Sequence, residues 1–320
     1  MTSRRDFLRT TATLAMGGAV AAVAGRRREG AAQAAAEKPI LIGRFEVDGR
    51  PIFGRLDDDS VELLSEAANA DVFPDIAALR ARPKGTGRTV AASELSWLPP
   101  IYGRHRVFAM ALNYAPHAAE TGSVPPESPL VFYKPPSAFV APYGRLSPRP
   151  GYTGEYDYEG EIAVVIGRTC HNVTADEALS CVRGVIALMD GSARDRLRVA
   201  AGKRVFLDWI GSKAFDGGSL AGPAIACGEG VIEAIRARTL RLTTRLNDEI
   251  VQKGSIRDLI FPVEKIIAFL SGILPLYPGD VISTGTPGGV GQARGQFLKP
   301  GDRIAVDVTH VPTLVGTVAA

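Results

Sequence analysis

Short apolar runs separated by turn residues dominate the chain from residue 40 onward. Runs rich in Val, Ile and Phe and bounded by Gly, Pro, Asn and Asp read as strands rather than helices. Ile40–Val47, Pro51–Leu56 and Ser60–Leu64 form a first group, with Asp48-Gly49 and Asp57-Asp58-Asp59 as turns. Behind Pro74, Asp75–Arg80 predicts a short helix with Ile76 and Leu79 on one side, and Arg82–Gly87 reads as a loop. From Arg106 the best strands are Val107–Leu112, Leu130–Tyr133, Glu161–Ile166, Val185–Met189, Leu240–Leu246, Val281–Thr284 and Ile304–Val308. Helices are expected only at Ala175–Val182, within Ala193–Ala200 and at Val263–Leu270 behind Pro262. Strands outnumber helices without regular β-α alternation, which argues against a doubly wound sheet and for a mainly β, α+β chain. Trp97–Pro100 closes the first group, so residues 37–100 are expected as a small N-terminal domain and 101–320 as the main one.

Ahead of these elements stands Arg4-Arg5, followed by the mildly apolar Thr10–Ala24 and by Ala34-Ala35-Ala36. The pattern predicts a twin-arginine leader over residues 1–36 and an exported, periplasmic product. The whole chain carries +3; residues 1–36 hold six Arg against Asp6 and Glu29, a net +4, so the remainder is about −1. The positive balance thus belongs to the leader, and no basic patch asks for nucleic acid. No later run is apolar enough to span a membrane. Cys170, Cys181 and Cys227 lack metal-site spacing and read as small buried residues.

The densest chemistry lies in Glu155, Asp157, Glu159 and Glu161, acids at every second position just before the apolar Ile162–Ile166. Side chains two apart in a strand share a face, so Glu159 and Glu161 lean over one spot. Two like charges about 4 Å apart repel by roughly 4 kcal/mol at an effective dielectric near 20. A divalent metal, an Arg/Lys clamp or water on an exposed face would each relieve them. Upstream, His117 and Glu120 are neighbours on a helical turn, and Glu120 can orient the imidazole as a general base. Downstream, Asp190 ends the Val185–Met189 run, ahead of Ser192, Arg194 and Asp195, and Lys213 sits in a Gly-rich loop with Asp216. Gly289, Gly291 and Gly295 miss the dinucleotide fingerprint by one residue and precede no apolar helix. No G-x-S-x-G elbow is present, and His105, His171 and His310 are isolated.

Together these pieces resemble the fumarylacetoacetate hydrolase family. The resemblance rests on Leu112-Asn113-Tyr114 with His117 and Glu120, on Asp157-Tyr158-Glu159-Gly160-Glu161, on Asp190 with Ser192, Arg194 and Asp195, on Lys213 with Asp216, and on Pro278–Pro287. It covers roughly residues 105–310. It implies a mixed β-roll or sandwich with a small N-terminal α/β domain, and a homodimer. It also implies that Glu159, Glu161 and Asp190 bind a divalent cation. Their hard oxygen ligands favour Mg²⁺, Mn²⁺ or Ca²⁺ over zinc, and three acids with one dication sum to −1. In the implied mechanism the cation is a Lewis acid toward a 2-oxo acid, His117 with Glu120 deprotonates water, and Lys213 stabilises an oxyanion. Arg194 and Thr286 would grip the substrate, Tyr158 would line the pocket, Pro116–Pro126 would form a lid, and Asp157 would turn away toward a base or water. The expected reaction is hydrolytic cleavage of a C–C bond in an acylpyruvate or diketo acid. The alternatives are a 2-hydroxymuconate-type isomerase or 2-oxo-acid decarboxylase or tautomerase on the same site, and a non-catalytic small-acid-binding envelope protein. Three positions depart from the family: Ala111 replaces a common Gly, Met189 an Asn and Leu197 a Gln. Leu197 beside Arg194, Arg196, Arg198, Lys203 and Arg204 suggests an acidic ligand with an apolar tail.

Overall fold

A computed structural model describes residues 38–64 and 85–320; the expected leader and the Asp75–Arg80 helix lie outside them. The central layer is a twelve-stranded mixed sheet. Its main path runs Gly85–Ala91, Ser60–Leu64, Arg50–Asp57, Ile40–Val47, Ser219–Cys227, Val182–Met189, Gly160–Ile166, Val281–Ser283, Val107–Ala111 and Leu130–Lys134. A five-stranded sheet packs against it, in the order Glu249–Ser255, Arg241–Leu246, Arg303–Val308, Val311–Val318 and Arg145–Leu146. Ile162, Val164, Val185 and Met189 of the first sheet share one core with Leu242, Ile304, Val306 and Leu314 of the second. Ala163, Val165, Ile186, Leu188 and Val281 form a second core on the opposite face. Burial on both faces explains why the central strands read as unbroken apolar runs rather than alternating ones.

The architecture is mainly β and mixed, as the run lengths imply. Ser219–Cys227 escaped the sequence reading although it lies between Ile40–Val47 and Val182–Met189. Its Gly, Pro and three Ala are poor strand formers, and Pro argues against a central strand. Pro223 is accommodated because it falls outside the register with Ile40–Val47 and inside an irregularity of the register with Val182–Met189. Part of Ala193–Ala200 was expected to be helical. It holds instead a 3₁₀ turn at Arg194–Arg196 and one strand of a hairpin, Arg198–Ala201 paired with Arg204–Leu207 around Gly202-Lys203. The Glu229–Arg236 helix, which buries Val231, Ile232, Ala234 and Ile235, was also missed. Among the described residues no helix is long and apolar enough to cross a membrane.

Candidate active site

Strand register assembles the acids. Gly160–Ile166 runs antiparallel to Val182–Met189 with Gly160 opposite Met189 and Glu161 opposite Leu188. Glu159 and Asp190 therefore leave the sheet side by side, and the Asp190 N–H donates to the Glu159 carbonyl at 2.8 Å. One ligand oxygen from each of Glu159, Glu161 and Asp190 lies within 4.8 Å of the others, and all three residues are buried.

Basic residues close around two of the three. Lys213 Nζ donates to Glu159 Oε2 at 2.6 Å, to Asp190 Oδ2 at 3.0 Å and to Ser192 Oγ at 2.6 Å. It is buried at the end of a helix, Trp209–Lys213, rather than in a loop; Asp208 caps that helix by accepting from Gly211 N at 2.8 Å. Lys134 Nζ lies 2.7 Å from Asp190 Oδ1. Arg194 Nη2 lies 2.6 Å from Glu159 Oε1, while its Nε donates to Asp157 Oδ2 at 2.8 Å. Asp157 also accepts from Gly291 N at 2.6 Å and Gln292 N at 3.0 Å, so it anchors a neighbouring turn and turns away from the trio. Counting three acids alone misses these groups. With every group ionised, Asp157, Glu159, Glu161 and Asp190 against Lys134, Arg194 and Lys213 sum to −1 before any cation binds.

The carboxyl groups respond accordingly. Burial alone would raise Glu159, but Lys213 and Arg194 outweigh it and hold the carboxyl far below its ordinary range. Glu161 moves the other way. Burial first, then Asp190 and Glu159, push it well above the ordinary value, and the one hydrogen bond its carboxylate receives among the described residues comes from Ser283. A buried acid in this condition takes up a proton or an added cation. The all-oxygen trio therefore fits a hard divalent ion, with Glu161 as the ligand that makes no ion pair among the described residues.

The proton-transfer pair stands on the next wall. Asn113 accepts from Phe261 N at 2.8 Å and donates to Thr284 O at 2.9 Å, which locks the turn after Val107–Ala111. The Ala115–Glu120 helix follows and places His117 Nδ1 2.8 Å from Glu120 Oε1. Gly289 N donates to Glu120 Oε2 at 2.7 Å and fixes the carboxylate from behind. His117, Glu120, Glu159, Arg194, Lys213 and Thr286 all line one cavity of about 690 Å³. Tyr158 does not line it: its ring is fully buried, and its hydroxyl donates to Gly289 O at 3.2 Å. Thr286 donates to Gly160 O at 2.9 Å, so it braces the peptide between the two glutamates as well as facing the cavity.

The sequence reading missed Lys134, Gln252, Phe132 and Trp209. Lys134 carried a usable signal, a lysine ending an apolar strand just before Pro135-Pro136. Gln252 carried none, because it lies on the polar Glu249–Ser255 strand; it accepts from Gly160 N at 2.9 Å and donates to Thr286 Oγ1 at 2.8 Å. Phe132 and Trp209 stack within the cavity wall with ring centres 5.0 Å apart.

Comparison with known proteins identifies related chains. The family described as fumarylacetoacetate (FAA) hydrolase C-terminal matches residues 106–319, and one described as Rv2993c-like, N-terminal matches residues 41–100. A human mitochondrial protein named oxaloacetate tautomerase is 34% identical over 228 residues, 71% of this chain and 70% of that one. A 5-carboxymethyl-2-hydroxymuconate delta-isomerase from Mycobacterium smegmatis aligns with TM-score 0.70 at 27% identity, over 88% of this chain and 99% of its own. A fumarylacetoacetate hydrolase from Exiguobacterium antarcticum aligns with TM-score 0.70 at 28% identity, with the same shares.

Proposed function

This chain belongs to the fumarylacetoacetate hydrolase family of enzymes, and from that premise we propose that it interconverts the keto and enol forms of a 2-oxo acid. The observation that carries the reading is that Glu159, whose carboxylate belongs to the buried acid trio, lines the same cavity as the His117–Glu120 pair. Glu159, Glu161 and Asp190 would hold a divalent cation such as Mg²⁺ or Mn²⁺, which would supply Lewis acidity toward the oxo-acid head. His117 moves the proton at the carbon beside the keto group. With Nδ1 held by Glu120, Nε2 is the nitrogen left to exchange it. Lys213 and Arg194 set the charge balance of the site and keep Glu159 ionised. Enolisation asks for nothing beyond these parts, and relatives named for tautomerisation and isomerisation support it.

Hydrolytic C–C cleavage is the second reading. The dyad favours it, because an imidazole braced by a doubly held carboxylate is equally equipped to deprotonate water. The two part in one assay. The Mn²⁺-loaded protein is given the enol form of a 2-oxo dicarboxylate and, separately, an acylpyruvate, with enol absorbance and release of the cleaved acid followed together. Enol decay well above the buffer rate without cleavage is expected, and His117→Ala should slow it about 10²–10⁴-fold. Cleavage of the acylpyruvate would install the hydrolytic reading, and no acceleration of either reaction would remove both. Export by the twin-arginine route and a homodimer belong to the proposal, supported by the Arg4-Arg5 pattern and by the family resemblance respectively.

A further inference from the structure

The cavity divides by chemistry. Its buried lining is charged, with Glu159, Arg194 and Lys213, whereas Phe132, Trp209, Leu197 and Leu207 supply apolar lining that reaches solvent at Leu207. Arg198 stands in the same lining, exposed, and its guanidinium makes no hydrogen bond or ion pair among the described residues. It sits at the base of the hairpin, paired with Leu207, where Asp208 N closes the ladder onto Leu197 O at 2.9 Å. The hairpin runs directly into the helix that presents Lys213, so the arginine and Lys213 are held by one continuous segment.

An unpaired guanidinium beside apolar walls is a receptor for a planar anion, since its fork matches a carboxylate two bonds at a time. Glu155 is the other lining charge whose side chain has no partner among the described residues, and its carbonyl accepts from Arg194 N. A volume of about 690 Å³ falls in the range, roughly 300–1,000 Å³, that encloses drug-sized ligands. It holds more than the short head group that the trio and the dyad engage.

We propose that Arg198 determines specificity by capturing a second carboxylate at the far end of the substrate. The preferred substrates are then 2-oxo dicarboxylic acids whose spacer packs against the apolar lining of Leu197 and Trp209. The inference rests on the enolisation reading for the head group, and its test is arranged to fail separately.

The probes are 2-oxoadipate and 2-oxohexanoate, which share a carbon count and a head group and differ in the distal carboxylate. Calorimetric binding to the Mn²⁺-loaded full chain gives an affinity ratio for the wild type, Arg198→Ala, Arg198→Lys and Lys203→Ala. Deuterium exchange beside the keto group, read by NMR, reports enolisation independently. The wild type is expected to prefer the dicarboxylate about ten- to a hundredfold, the value of a charge-assisted contact. Arg198→Ala should bring the ratio near one and Arg198→Lys should recover part of it. Lys203→Ala, at the hairpin tip, should keep it. No wild-type preference, or an Arg198→Ala that weakens both acids equally, overturns the assignment. Absent deuterium exchange sinks the enolisation reading while the binding ratio still decides Arg198.

Discussion

Replacing Gln252 with leucine keeps the side-chain bulk roughly constant but removes an amide that ties three segments together. Its Oε1 accepts from Gly160 N at 2.9 Å, and its Nε2 donates to Thr286 Oγ1 at 2.8 Å and Pro287 O at 3.0 Å, at a position 1% exposed. After substitution the Gly160 N–H and the Pro287 carbonyl lose this partner, while Thr286 Oγ1 still donates to Gly160 O. Each buried polar group left unpaired costs about 1–3 kcal/mol, so the pair costs about 2–6 kcal/mol. That is a large share of a domain's total stability of about 5–15 kcal/mol. Denaturant unfolding followed by circular dichroism measures it. Gly160 also separates Glu159 from Glu161, so loosening its peptide misplaces two ligands at once. Losing support behind metal ligands typically weakens binding about 10–100-fold, which Mn²⁺ calorimetry reads directly. A leucine variant within about 1 kcal/mol of wild type and with unchanged Mn²⁺ affinity would refute the reasoning.

Two further outcomes follow from the charges. Glu161 stands well above its ordinary value of 4.5, so its proton stabilises the metal-free fold fully below that pH, and the contribution is lost as pH rises through the folded value. A cation must displace that proton; Mn²⁺ affinity should therefore climb by up to about tenfold per pH unit until Glu161 ionises. Glu161→Gln should flatten the slope, and a flat wild-type profile would contradict the assignment. Asp157→Ala strips Arg194 of one partner and orphans the N–H groups of Gly291 and Gln292. Breaking a buried pair in this way costs about 3–5 kcal/mol, and a thermal melt within error of wild type would show that Asp157 is dispensable.

Glu159, Glu161 and the dyad were legible because their spacing is local, two residues apart and three on a helical turn, whereas Asp190 joined them only through the family resemblance. What surrounds them was not, because it arrives from distant segments. Lys134 meets Asp190 across 56 positions, and Gln252 meets Gly160 across 92. Sequence periodicity carries no information on either pairing. Tyr158 shows the converse limit, since its place between two acids suggested a pocket residue whereas its ring lies in the core. Most long strands were readable from β-branched runs. Ser219–Cys227 was hidden by small residues that sit between two neighbouring strands and need little side-chain bulk there.

The pairing of Ile40–Val47 with Ser219–Cys227 has a consequence for how the molecule behaves in company. Ile40 faces Cys227 and Gly43 faces Ala224, so the first strand occupies a flank of the apolar centre. Three more strands continue the ladder outward to Gly85–Ala91, a Gly- and Thr-rich border with mostly exposed side chains and a lysine-like charge at Arg88. A chain begun at residue 101 would bare the Ser219–Cys227 flank, a row of unsatisfied peptide groups ready to recruit strands from other molecules. The strands Ile40–Val47, Arg50–Asp57, Ser60–Leu64 and Gly85–Ala91 thus act as a fender, moving the sheet's free rim from its stickiest material to its most hydrated.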